Sequence, residues 1–328
     1  MFHEGETDIV HRSEIPKSAL IYVAGYRGLV GSAIWRRFEL SGYCNLVGSS
    51  SSEMDLRDRA AVDLFFSNVS PDVVVLAAAR VGGILANASR PADFLEDNLR
   101  IQLNVMDGAR RAGVQRLLFL GSSCIYPKFA PQPIAESSLL TGALEATNDA
   151  YAIAKIAGII QVQALRRQYG VSYISAMPTN LYGPGDNFSL TDSHVLPALL
   201  RRIHEAKSTN ADTVTIWGSG MPRREFLFVD DLADAALFLL EHYDSSEPIN
   251  VGIGADVTIR ELAETIAEVV GWQGNFRFDS SKPDGTPRKL LDVSRLTALG
   301  WQANISLLNG IKLTYEWFLA NQSSIRGA

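Results

Sequence analysis

The stretch Ala19-Leu-Ile-Tyr-Val-Ala-Gly-Tyr-Arg-Gly-Leu-Val-Gly31 decides the fold. A short apolar run, Ala19–Ala24, ends in glycines spaced Gly-x-x-Gly-x-x-Gly, and a helical segment, Val30–Leu40, follows at once. A strand that enters a helix through such a turn is suited to a dinucleotide. Small residues let the backbone approach a pyrophosphate, and the free N–H groups of the helix N-terminus face its charge. Gly25, Tyr26, Arg27, Gly28, Leu29, Val30 and Gly31 are therefore candidate cofactor contacts. Glycines also mark ordinary turns, so their place between strand and helix carries the reading.

The same alternation continues outward. Apolar runs at Asn45–Val47, Val73–Leu76, Leu117–Leu120 and Tyr173–Met177 alternate with helical segments at Arg59–Ser67, Pro91–Ala112 and Tyr151–Tyr169. Short runs that are apolar on both sides suit parallel strands buried on two faces. The expected fold is α/β, a doubly wound parallel (Rossmann) sheet. After Met177 the pattern loosens into Gly- and Pro-rich stretches, LYGPGDNF from Leu181 and WGSGMPRR from Trp217. A helix near Leu232–His242, a strand near Ile249–Val251, a helix near Ile259–Val270 and the segment KPDGTPRK from Lys282 complete the chain. This predicts a lead-in over residues 1–17 and a cofactor domain over 18–180 plus about 225–254. A smaller, interleaved substrate lobe takes about 181–224 plus 255–328.

Composition narrows the function. The chain has 328 residues, 47% of them hydrophobic and 20% charged, enough for a sizeable core. The formal net charge of −6 argues against a nucleic-acid partner. Two cysteines, Cys44 and Cys124, do not make a disulfide scaffold. The first residues are polar, and no apolar run approaches the roughly 20 residues a membrane span needs. A cytoplasmic protein without membrane contact is expected, and no metal is called for.

The residues also point to a cofactor and a reaction. Selectors of NAD usually place an acid at the end of the second strand, but here that strand runs into Gly48-Ser-Ser-Ser-Ser52. Arg27 is placed to meet a 2′-phosphate, so NADP(H) is expected, with Asp55 and Leu56 beside the adenine. Tyr151 and Lys155 stand four apart and share one helix face. A phenol of pKa about 10 is a poor acid–base group at neutral pH, and a nearby ammonium is expected to lower it. Ser122 and Ser123 end the fourth strand, where α/β enzymes place reacting groups, and a hydroxyl there can bond the carbonyl oxygen that Tyr151 protonates.

The glycine loop, the strand-end serine and Tyr-x-x-x-Lys together resemble the extended short-chain dehydrogenase/reductase family. Longer strings resemble those members that epimerise and reduce GDP-4-keto-6-deoxy-D-mannose. They are LAAARVGGILAN from Leu76, LLFLGSSCIYPK from Leu117, YAIAKIAG from Tyr151, MPTNLYGP from Met177, SHVLPALLRR from Ser193 and KPDGTPRKLLDV from Lys282. The resemblance spans about residues 19–318.

The resemblance implies roles. The C4 ketone acidifies the protons at C3 and C5, and inverting each centre needs a proton taken from one face and returned to the other. Cys124 and His194 match the positions that do this, and both are reasonable proton carriers near neutral pH. Tyr151, Lys155 and Ser122 then serve the reduction at C4. Cofactor contacts are further implied for Ser51, Leu120, Gly121, Ser122, Ser123, Lys155, Pro178, Thr179, Asn180, Leu181 and His194. Substrate contacts are implied for Arg202, Trp217, Arg224 and Asp284, where arginine suits a diphosphate and Trp217 offers an aromatic face. A homodimer is also implied. Many relatives carry basic residues around 49–51, where this chain has serines. A related 4,6-dehydratase would want Asp-Glu where this chain has Cys124-Ile125, and a non-catalytic cofactor sensor would have little need of the Tyr–Lys pair.

Overall fold

A computed structural model describes residues 14–190, 192–282 and 284–323. Its first part alternates strand and helix. The elements are β1 (Ile21–Ala24), α1 (Leu29–Leu40), β2 (Leu46–Val47), α2 (Arg59–Val69), β3 (Val73–Leu76), α3 (Ile84–Ser89), α4 (Pro91–Arg111), β4 (Arg116–Leu120), α5 (Asp149–Tyr169) and β5 (Ser172–Pro178). Then follow β6 (Asn180–Tyr182), α6 (Val195–Ser208), β7 (Thr213–Trp217), β8 (Arg223–Arg224), β9 (Phe226–Phe228), α7 (Val229–His242) and β10 (Ile249–Val251). The chain closes with β11 (Val257–Thr258), α8 (Ile259–Val270), β12 (Asn275–Asp279), β13 (Arg288–Lys289), α9 (Ser294–Ala298) and α10 (Leu307–Ala320).

Six strands form one sheet in the order β10-β5-β4-β3-β1-β2, and every pairing is parallel. Side chains alternate across it: Ile21 and Val23 pack with α1 and α7, while Tyr22 and Ala24 pack with α2, α4 and α5. The strand order reverses between β1 and β3, and open α/β sheets bind ligands at the carboxyl ends of their strands at such a point.

The ends of the helices follow local chemistry. Asp58 caps α2 by accepting from the N–H groups of Ala60 and Ala61. Thr258 and Glu261 form a capping box on α8. Gly170, at φ 69°, ends α5 in the left-handed conformation glycine adopts readily. The buried polar face of α4 anchors two loops and the start of α5. Asn98 both donates to and accepts from the backbone of Arg80, Gln102 donates to the Ala154 carbonyl, and Asn104 donates to that of Leu56.

The lobe has its own core, in which α6, α8 and α10 pack with β7. A pair, β12–β7, and a three-stranded sheet, β11-β8-β13, complete it. The division differs from the expected one in two places. Leu291, Leu296 and Trp301 pack on the two faces of the main sheet, so part of 255–328 belongs to that layer. At the other end, Ile15 is buried in the sheet core, so the lead-in stops short of residue 17; residues 1–13 lie outside the described residues. The parts are clasped by Glu225, 0% exposed, whose carboxylate accepts from the N–H groups of Ile253, Gly254 and Leu291. Among the described residues, no helix is long and apolar enough to cross a membrane.

Candidate active site

The glycine loop sits at the switch point. Gly25 has φ +86°, and a Cβ there would lie 2.8 Å from the Ala78 backbone, where the loop after β3 crosses it. A Cβ on Gly31 would lie 2.1 Å from the Gly25 carbonyl oxygen. Both positions must be glycine for α1 to start this close to the sheet. The result is a strand-to-helix turn that fits a pyrophosphate.

Beside it, Arg27 donates to the hydroxyl of Tyr26 at 2.8 Å, and the Tyr26 ring packs over Gly48 at the end of β2. Ser50 is tied to Glu53 through its N–H and hydroxyl, each at 2.7 Å, while Ser51 is exposed. Asp55 is engaged by Arg57, which also reaches Asp97, and Leu56 is half-buried beside α4.

The end of β4 gathers the residues expected to react. Gly121 faces Met177, whose sulfur would lie 2.4 Å from a Cβ. Ser122 starts a short 3₁₀ turn, accepts from the Cys124 N–H at 3.3 Å and lies near enough to Tyr151 to favour its phenolate, whereas Ser123 is buried. Lys155 is 4% exposed and donates to the Leu120 carbonyl at 2.9 Å. Burial pushes its ammonium down to about 8.

The expected lowering of the Tyr151 pKa by Lys155 is not seen. Burial raises the phenol above its usual range, the charge of Cys124 adds to this, and the Ser122 hydrogen bond offsets part of it. Lys155 lies 5.8 Å from the centre of the Tyr151 ring and is committed to Leu120. A protonated phenol is the form a proton donor needs.

Cys124 is half-buried beside these hydroxyls. Burial pushes its thiol up, but the charge of Lys289 and hydrogen bonds with Ser122, Lys289 and Asn148 outweigh it and hold the thiol below its usual value. The donor distances to Sγ are 3.3 Å from Asn148 Nδ2 and 3.5 Å from Lys289 Nζ. His194 precedes α6 and keeps an exposed face, yet the protein around it, and then the charge of Lys289, lower its pKa. Its loop is set by Gly83, whose N–H donates to the Asp192 carbonyl and whose absent Cβ would lie 2.8 Å from the Ser193 carbonyl oxygen.

The remaining candidates fall into two groups. Pro178 ends β5, and Leu181 is half-buried in the next strand. Thr179 and Asn180 both donate side-chain hydrogen bonds to the Glu225 carbonyl, so one of the two Asn180 amide N–H groups is already used. In the lobe, Trp217 is 46% exposed, with Arg202 at 5.4 Å and Lys282 at 5.6 Å from its ring. Burial lowers the pKa of Arg224, whose Nη1 donates to the Arg223 carbonyl. Asp284 accepts from the N–H and hydroxyl of Ser219, which fixes the turn after Trp217.

Sequence reasoning missed Lys289, Asn148 and Gly83. Lys289 meets Cys124 across 165 positions, and nothing local marks it. The Gly82-Gly83 pair was a usable signal, since paired glycines suggest close backbone approach.

Residues 21–252 match the model of the NAD dependent epimerase/dehydratase family. The chain belongs to this family. Within it, the chain is 60% identical to the putative GDP-L-fucose synthase 2 of Arabidopsis thaliana over 307 residues, covering 94% of each chain. It is 56% identical to the GDP-L-fucose synthase of Escherichia coli over 316 residues, covering 94% of this epimerase/dehydratase-family chain and 98% of the relative. Among solved structures, a GDP-L-fucose synthetase from Naegleria fowleri bound to NADP superposes with a TM-score of 0.89 at 29% identity, covering 96% of this chain and 98% of the other.

Proposed function

We propose that this protein is a GDP-L-fucose synthase, which epimerises GDP-4-keto-6-deoxy-D-mannose at C3 and C5 and reduces C4 with NADPH. The observation that carries the reading is the end of β4. There the Cys124 sulfur, held by Asn148 at 3.3 Å and Lys289 at 3.5 Å, adjoins the Ser122 and Tyr151 hydroxyls, so a proton carrier and a carbonyl-reducing pair share one place. The names of the Arabidopsis and Escherichia coli relatives support the activity, and the NADP-bound Naegleria structure supports the cofactor.

In this reading the turn of Gly25, Gly28 and Gly31 holds the pyrophosphate, and Arg27 and Ser51 meet the 2′-phosphate. NADPH supplies the hydride when bound. Ser122 orients the C4 oxygen, Tyr151 gives it a proton, and the Lys155 charge stabilises the phenolate left behind. Cys124 and His194 move protons at C3 and C5. Arg202, Trp217, Arg224 and Asp284 serve the GDP side. The enzyme works as a cytoplasmic homodimer: two free cysteines suit a reducing compartment, and Leu103, Ile153 and Ile160 are apolar yet exposed on α4 and α5.

Mixing the protein with NADPH and GDP-4-keto-6-deoxymannose should consume NADPH in proportion to sugar and yield GDP-L-fucose. A folded protein that binds NADPH and leaves it unoxidised would instead be a binding module.

A further inference from the structure

The lobe delivers a cation to the thiol. β13 runs parallel to β8 with Lys289 in register with Arg224 and Arg288 with Arg223, which carries Lys289 to the end of β4. Arg288 is drawn away to Asp256, at 2.5 Å, along with Arg223 at 2.9 Å. The two neighbouring residues of β13 are thus divided: one closes an ion pair within the lobe, and the other points its ammonium at sulfur.

We propose that Lys289 is a positioning residue for the epimerisation: its ammonium, 3.5 Å from Cys124 Sγ, holds the thiol as a thiolate and so makes Cys124 the group that removes the proton beside the ketone. The role rests on the functional reading above. The groups facing the sulfur come from three other elements besides β13. Ser122, at the end of β4, and Asn148, at the start of α5, are uncharged. Tyr151, on α5, stays a phenol. Arg224, on β8, feels the sulfur's charge while its Nη1 is spent on the Arg223 carbonyl. Among the described residues, Lys289 is the cation that hydrogen-bonds the sulfur.

The chemistry balances without another reactant. The C–H bond at C3 or C5 breaks, an S–H bond forms at Cys124, and the electron pair moves onto the C4 oxygen as an enolate. His194 passes a proton from solvent to the other face, and the Cys124 thiol then gives its new proton back to solvent. Lys289 favours the sulfur without its proton at the start of each cycle. The same charge opposes an imidazolium at His194, so removing it should raise both groups.

The test uses the NADP-bound protein in a Cys44→Ser background, because Cys44 is exposed. The rate of Cys124 alkylation by iodoacetamide is followed against pH, since the thiolate is the reactive form. Lys289→Met should move the midpoint up by about one unit, which slows alkylation about tenfold below it. Lys289→Arg should hold the midpoint within a few tenths of a unit. Cys124→Ser in the same background gives the baseline, and Lys289→Gln replaces the Met variant if that one does not fold.

Deuterium wash-in at C3 and C5 should fall at least about tenfold in Lys289→Met. An unmoved midpoint would overturn the proposal, and weakened GDP binding with an unmoved midpoint would make Lys289 a substrate ligand instead. Alkylation needs no substrate. If the unaltered enzyme fails to turn over the sugar, the functional reading falls while the thiolate test still gives its answer.

Discussion

At the scale of single residues, burial sets the chemistry of Lys155. A shielded ammonium with a pKa of about 8 is charged at neutral pH and loses its charge within reach of ordinary buffers. Its charge is present below that pKa and lost above it, and the proposed reduction draws on that charge only while the cofactor and ketone are bound beside Tyr151. The rate of C4 reduction should therefore fall as pH rises through about 8, read as kcat/KM for NADPH oxidation. Lys155→Met should be slower by about a hundredfold and should lose that falling limb. A flat profile from pH 7 to 9 in the unaltered enzyme would show that Lys155 keeps its charge.

Tyr151, Lys155, Ser122, Cys124 and His194 could be singled out as candidates because each lies in a short string with its own spacing. Lys289 and Asn148 were not, since their meaning arises only where the sulfur meets them. The Tyr151 pKa was misjudged for a related reason. Spacing puts the ammonium on the right helix face, but burial and the Leu120 carbonyl decide what it does there.

At the scale of elements, the turn between β1 and α1 depends on what crosses it. Gly25 combines a left-handed φ with backbone atoms 2.8 Å from its missing Cβ. Gly25→Ala should cost about 1–3 kcal/mol of strain and push the loop after β3 away. NADPH affinity by fluorescence titration should fall at least about tenfold, and the melting temperature should drop. Unchanged affinity would mean that the turn does not hold the pyrophosphate.

β3, β10 and α8 begin and end where the apolar pattern places them, because flanking turn residues and caps mark their limits. The polar face of α4 carried no such mark. Asn98, Gln102 and Asn104 are nonetheless buried, where they hold the loops after β2 and β3 and the start of α5.

At the scale of the whole molecule, the chain passes between sheet and lobe more often than its pattern reveals. Leu291, Leu296 and Trp301 return to the sheet layers, and the Glu225 carboxylate ties two backbone segments, at Ile253-Gly254 and Leu291, at the crossing. Two-face burial of the strands made the sheet readable. The lobe's short strands, three of them only two residues long at β8, β11 and β13, were too brief to show a period. Those strands bring the lobe's cation to a thiol on the sheet.

The proposed division of labour is a property of the assembled molecule: reduction at the end of β4 and α5, and epimerisation where the lobe adds His194 and Lys289. Incubating the enzyme with NADPH and GDP-4-keto-6-deoxymannose in heavy water, and comparing it with Tyr151→Phe, tests this most directly. The unaltered enzyme should give GDP-L-fucose labelled at C3 and C5, while Tyr151→Phe should still label both carbons of unreduced sugar as NADPH consumption falls at least about a hundredfold. Loss of labelling together with reduction in Tyr151→Phe, or reduced product without label at C3 and C5, would contradict the account.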